Sequence, residues 1–250
     1  MRYAIISDIH SNLVALNQVL DHIKKRGIKE IICLGDVVGY GPKPIECIEL
    51  IMQNCYVCLK GNHDEAMVEG VCFFNPVAKN AIEWTREYLL GVEHPQKEEM
   101  WSFISDLPMT YILDKEYMFV HGSPLDPTMD YILTRDLVIE EKKFEDIFDS
   151  FENILFTGHT HLPCVITDSM EAFSIKELGY KYKFSGQKAI INVGSVGQPR
   201  DKDPSSCYVE VVDDFVFFHR VPYDCEKVYQ EILENPKLDP SLGRRLLTGT

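Results

Sequence analysis

Five short apolar runs in this chain each break off at a turn carrying Asp, Asn or His. Residues 2–7 lead into Asp8-Ile9-His10, and residues 30–34 into Gly35-Asp36. Residues 56–59 lead into Gly61-Asn62-His63-Asp64, 117–120 into His121-Gly122, and 154–157 into Gly158-His159-Thr160-His161. A sixth run covers 189–193. Runs this short, apolar on both faces, read as strands covered by layers above and below. Between the first two, Leu13, Leu16, Val19, Leu20 and Ile23 repeat at three and four, with Ser11 or Asn12 placed to cap and Gly27 to stop. Residues 44–53 and 135–149 read as further helices. Strand alternating with helix predicts an α/β fold. In open sheets of that kind, ligands gather at the carboxyl ends of the strands, where these polar turns fall.

The last third is richer in strands: 164–167, 181–184, 207–212 and 215–221, with Asp213-Asp214 as a hairpin turn. Two packed sheets with helices outside accommodate this order. From 65 to 108 the strand rhythm lapses, and 76–90 and 96–107 have amphipathic helical patterns. These define a helical cap inserted into a single domain spanning 1–250. A final helix is expected over 224–233, and the tail beyond it carries no readable role.

The chemistry of the turns follows from residue type. Carboxylate oxygen and imidazole nitrogen are ligands for zinc, manganese or iron. In Asp8-x-His10 and His159-x-His161, side chains two apart face the same way from an extended segment, so each pair can clasp one metal or reach two. Singly, each motif has a plainer explanation: a turn former, a helix cap, a buried histidine. Together they hold five of the eight histidines. Asp8, His10, Asp36, Asn62, His121, His159 and His161 are too many for one tetrahedral ion and suit two metals sharing a carboxylate.

Composition narrows the partners. A net charge of −14 argues against a broad nucleic-acid or anionic-membrane surface. It leaves room for a small phosphate-bearing substrate, because bound cations reverse the local sign. The first apolar run breaks at Ser7-Asp8, too early for a secretory leader, and no stretch approaches a membrane span; a cytoplasmic protein is expected. Eight cysteines in so long a chain read as small core residues, the Cys55/Cys58 pair included, rather than a disulfide framework.

The ordered series DIH, GD, GNHD, HG and GHTH resembles the calcineurin-like metallophosphoesterase superfamily. GDVVGYGP at 35–42 and NVGSVGQPRD at 192–201 resemble its bacterial and archaeal diadenosine-tetraphosphatase-like or phosphodiesterase-like branch. The resemblance implies a four-layer αββα sandwich, two mixed sheets flanked by helices. It implies a first metal held by Asp8, His10 and His161, a second by Asn62, His121 and His159, and Asp36 bridging them. Manganese or iron is expected first, with zinc, nickel or cobalt also suited. The implied reaction is hydrolysis of a phosphate mono- or diester, nucleotides included, by attack of a metal-bridging hydroxide. His63 would assist the leaving group, with Asp64 accepting a hydrogen bond from its ring, and Arg200 would grip a second phosphate. Phe73, Phe74, Trp84, Tyr88 and Trp101 offer stacking surfaces for a base. Two other readings remain: a protein-interaction scaffold of weak activity, and a serine/threonine protein phosphatase.

Overall fold

The computed structural model describes residues 2–71 and 74–250. Two six-stranded mixed sheets lie face to face. The first is built around three parallel strands, β1 (Arg2–Ile6), β2 (Glu30–Cys33) and β3 (Val57–Cys58), joined through the helices α1 (Leu13–Lys25) and α2 (Pro44–Asn54). The antiparallel strands β11 (Ser206–Val212) and β12 (Phe215–Val221) extend it from β1, and β9 (Lys181–Lys183) closes the edge. The second sheet centres on β5 (Tyr117–Val120), β6 (Ile154–Thr157) and β10 (Ala189–Asn192), all parallel. Its antiparallel members are β4 (Thr110–Leu113), β7 (Cys164–Thr167) and β8 (Ala172–Ser174).

Alternation along each strand explains the layering. In β1, Ile5 faces the second sheet, while Ala4 and Ile6 face α1 and α2. In β6, Ile154 and Phe156 point between the sheets, and Leu155 points out to Phe144 and Ile147 of α6 (Glu141–Asp149). Both faces of the central strands are therefore buried, as their unbroken apolar sequences require.

Most elements lie where the sequence places them, and four differ. The helix expected over 135–149 starts only at Glu141, after a separate 3-10 turn at Thr134–Asp136. In the intervening stretch Leu137 packs into the core while Val138 and Ile139 are exposed at 90% and 82%, so the stretch lacks the continuous apolar face a helix there would dock. Helix α3 (Asn62–Glu69) begins inside the GNHD segment read as a turn, so Asn62 and His63 sit in its first turn. The short edge strands β4 and β8 carry no run of buried residues, and the sequence did not mark them. Helices α4 (Pro76–Gly91) and α5 (Lys97–Ser105) do form. They share a core with α1, α2 and the outer face of the first sheet, through Ile82, Leu89, Met100 and Ile104. Phe73 lies outside the described residues.

A buried carboxylate ties α1 to the first sheet. Glu210 of β11 accepts from Arg2 (2.7 Å), Arg26 (2.6 Å) and His219 (2.8 Å). Burial alone would raise the Glu210 pKa, but the bonds from Arg2, Arg26 and His219 outweigh it and hold the carboxyl below its ordinary 4.5. A group whose folded pKa is depressed stabilises fully above its unfolded value and loses that contribution as pH falls through the folded one. Glu210→Gln is therefore expected to cost about 2 kcal/mol at pH 7. The gap to wild type in a thermal melt should close in acid.

Candidate metal centre

The loops that follow β1, β2 and β10 run side by side and zip together through their backbones. Asp8 N–H donates to Gly35 O (3.0 Å), His10 N–H to Asp36 O (2.9 Å), and Gly197 N–H to Asp8 O (2.8 Å). From the second sheet, Gly158 N–H donates to His121 O (3.0 Å). The carboxyl ends of strands from both sheets thus meet at one place. Asp8, His10, Asp36, His159 and His161 all adopt positive φ, between 49° and 62°. Each such residue costs about 1–2 kcal/mol, a strain that concentrates at functional sites. The expected extended geometry of the Asp-x-His and His-x-His pairs is replaced by this left-handed backbone.

All seven expected ligands are buried. Asp8, His10 and His161 offer ligand atoms within 4.8 Å of one another, and so do Asp36, His121 and His159. Asn62 Oδ1 stands 3.2 Å from His121 Nε2. The Asp8/His10 pair serves one group, whereas His159 and His161 divide between the two. Asp36 lies between them, with Oδ2 3.5 Å from both His10 Nε2 and His121 Nε2. Its Oδ1 accepts from the His63 backbone N–H at 2.8 Å. Gly61 makes room for it, since a Cβ there would meet Asp36 Oδ1 at 2.1 Å.

Four imidazoles show a polarity that fits a cation. His10 Nδ1 is bonded to Val38 O (3.2 Å), His161 Nδ1 to Gln198 O (2.5 Å), His121 Nδ1 to Leu34 O (3.1 Å) and His159 Nε2 to Met129 O (3.2 Å). A carbonyl only accepts, so each of these nitrogens carries the proton and the opposite one is a lone pair. Those lone pairs face each other: His10 Nε2 is 3.1 Å from His161 Nε2, and His121 Nε2 is 3.1 Å from His159 Nδ1. Opposed lone pairs in a buried site repel unless a cation stands among them. Backbone bonds of this kind are how proteins fix the tautomer and direction of metal-binding histidines.

The electrostatics agree. Burial holds all five site imidazoles below the usual histidine range, and Arg200 reinforces the effect at His63 and His161. Burial, then the nearby Asp8 and Asp64 carboxylates, push Asp36 well above the carboxylate range. Burial also opposes ionisation of Asp8, but His161 and the other imidazoles hold it well below. Asp8 Oδ1 has no hydrogen-bond donor. Divalent cations would satisfy this donor set of nitrogen lone pairs and crowded carboxylates.

The sequence matches the calcineurin-like phosphoesterase superfamily domain over residues 1–214. The chain belongs to that superfamily. It is 40% identical, over 98% of its length and 97% of the relative's, to the uncharacterized protein MJ0912 of Methanocaldococcus jannaschii. A crystal structure of a metallophosphoesterase from Sphaerobacter thermophilus superposes with a TM-score of 0.80 at 34% identity, over 100% of this chain and 99% of that one. The hypothetical protein PH1004 from Pyrococcus horikoshii has the same fold, with a TM-score of 0.75 at 22% identity over 100% and 98%. This calcineurin-like phosphoesterase is accordingly a metal-dependent hydrolase of phosphoesters.

Around the calcineurin-like centre lies a cleft of about 130 Å³ lined by Tyr40, His63, Phe74, Met129, Tyr131 and Arg200 among others. His63 Nδ1 faces Gly39 and has no hydrogen-bond partner. The expected Asp64–His63 bond is not made. Both Asp64 oxygens are taken by backbone N–H groups, those of Val37 (3.0 Å), Val38 (3.3 Å) and Gly61 (3.0 Å). Neighbours on a helix point about 100° apart, so Asp64 braces the Asp36 loop instead of the His63 ring. Burial raises its pKa to about 6 against the pull of those bonds.

Of the aromatics expected at the rim, Phe74 reaches the cleft and meets His63 edge-on at 5.3 Å. Trp84 stacks on Tyr88, and Trp101 lies under Arg86. The sequence reading missed Tyr40, wedged between His10 (4.6 Å) and His63 (4.4 Å), and Tyr131, stacked on His159 at 3.8 Å. Tyr40 was within sight in GDVVGYGP; Tyr131 sits in a loop with no motif.

Proposed function

We propose that the protein hydrolyses mono- or diesters of phosphate on small molecules, nucleotides among them, using two cations bridged by Asp36. The observation that carries this is the placement of Asp36 Oδ2, equidistant from a histidine of each ligand group. Asp8, His10 and His161 would hold one cation, and Asn62, His121 and His159 the other. When bound, the pair would polarise the phosphoryl group and lower the pKa of water. The mixed nitrogen and oxygen set suits manganese or iron, and also zinc, nickel or cobalt.

The remaining work falls to the chain's own groups. His63 lines the cleft with Nδ1 turned to Gly39, so Nε2 is the nitrogen that donates to a phosphoryl oxygen or to the departing ester oxygen. Arg200 offers a buried, unpartnered Nε beside the same cleft and binds phosphate oxygens. Tyr40 and Phe74 wall His63 on two sides and fix its ring. Asp64 acts indirectly, by holding the loop that presents Asp36. Among the described residues no helix is long and apolar enough to cross a membrane, and the described cysteines are all free.

Protein stripped of metal and reconstituted with manganese should hydrolyse p-nitrophenyl phosphate or its bis ester, and chelation should abolish turnover. The ratio of the two rates separates monoesterase from diesterase. No turnover of either, with any of the five metals, would overturn the reading.

A further inference from the structure

Arg200 lines the cleft, and Arg245 stands behind it, joined to it through Gln198. Arg200 Nη2 and Arg245 Nη1 both donate to one neutral oxygen, Gln198 Oε1, at 2.8 and 3.2 Å. Among the described residues, neither guanidinium has a carboxylate within ion-pair distance, although acidic residues outnumber basic ones by 39 to 25. Arg200 Nε is buried with no acceptor at all. Burial and the Arg200 charge both hold Arg245 below the usual arginine range. Like charges at a half-buried site are unfavourable unless an anion joins them.

The placement of Arg245 is built in, not incidental. It lies beyond residue 214, where the family match ends, in a tail formed by α7 (Cys225–Leu233), α8 (Pro240–Arg244) and a 3-10 turn at Arg245–Leu247. Val228, Ile232, Leu242 and Leu246 of this tail are buried in one cluster with Tyr40 and Ala78 of the cleft wall. Gln198 joins the pair to the metal centre, since its backbone carbonyl accepts from His161 Nδ1 while its side chain accepts from both arginines. The other flank of the centre carries Glu65 and Glu69, which would repel an anionic group. The charge asymmetry thus gives the bound substrate a direction.

We propose that Arg245 and Arg200 form a subsite for a second phosphate group of the substrate, so that the preferred substrates carry two phosphoryl groups, one at the metal centre and one on the arginines. This rests on the phosphoesterase reading of the same site.

The test uses two probes that cannot be hydrolysed, inorganic phosphate and methylenediphosphonate, titrated calorimetrically into manganese-loaded protein at fixed excess metal. Chelation in solution is the same for every variant and cancels. Wild type should bind the diphosphonate more tightly than phosphate, and R245Q should lose about 10–100-fold of that preference. R245K should keep part of it, because a point charge replaces the guanidinium fork. An unchanged preference in R245Q, or in R245K should R245Q not fold, would overturn the subsite. Equal weakening of both probes would also overturn it, showing Arg245 to act only on the reacting phosphate through Gln198. Binding is read without turnover, so a protein that hydrolyses no ester would sink the phosphoesterase reading and leave the subsite measurable.

Discussion

Asp36→Asn is expected to lower kcat/KM for p-nitrophenyl phosphate by about 10³-fold or more, the scale of several kcal/mol of lost charge stabilisation. The substitution is nearly isosteric. Asn Oδ1 can still accept from the His63 N–H that Asp36 now binds at 2.8 Å, so the loop should hold its shape. What changes is the group facing His10 and His121: an NH2 with two protons replaces a carboxylate oxygen 3.5 Å from each ring. It cannot bridge two cations. Metal analysis of the purified variant should therefore show depletion of both positions. Stability should move the opposite way in metal-free protein, because the change also removes a buried charge crowded by Asp8 and Asp64. Metal-free Asp36→Asn should melt at or above metal-free wild type, and added manganese should raise its midpoint less. Full occupancy of both positions in the variant would contradict the bridge.

His63→Ala should separate binding from chemistry. The ring belongs to neither of the two ligand groups built on Asp8, His10 and His161 and on Asp36, His121 and His159, although it forms a third cluster with His10 and Asp36 whose ligand atoms also lie within 4.8 Å of one another. Removing it should leave metal content near the wild-type value and reduce kcat by about 10²–10⁴-fold, the usual worth of a positioned acid. The loss should be smaller for esters with good leaving groups, such as p-nitrophenol, than for alkyl esters that need a proton on departure. Loss of a metal in this variant would assign His63 a ligand role instead. Equal loss for both ester types would point to hydrogen bonding at the phosphoryl oxygens rather than proton donation.

The layers of this fold were legible because burial on both faces leaves a mark that needs no partner to be identified. Ile5, Ile32, Ile154 and Ile191 are apolar whichever sheet they meet, so the central strands announce themselves. Edge strands such as β4 and β8 do not, since they are short and none of their residues is fully buried, so no core-facing pattern marks them. The start of α3 at Asn62 was hidden for a related reason. Gly61 at its N-cap and Asn62 in its first turn are equally good turn residues, and the bonds that Asp64 accepts from Gly61, Val37 and Val38 favour the helix.

By itself the sequence determined which side chains gather at the strand ends. Chain connectivity forces a residue that follows a parallel strand to emerge at its carboxyl edge, and seven ligand-type residues in five such turns leave little freedom. Only the tertiary structure decided what else joins them. That Asp64 braces a loop, and that Arg245 comes back from the tail to share Gln198 with Arg200, depend on contacts between segments distant in the chain. Such contacts follow from packing of the whole molecule, and no local pattern in the sequence encodes them.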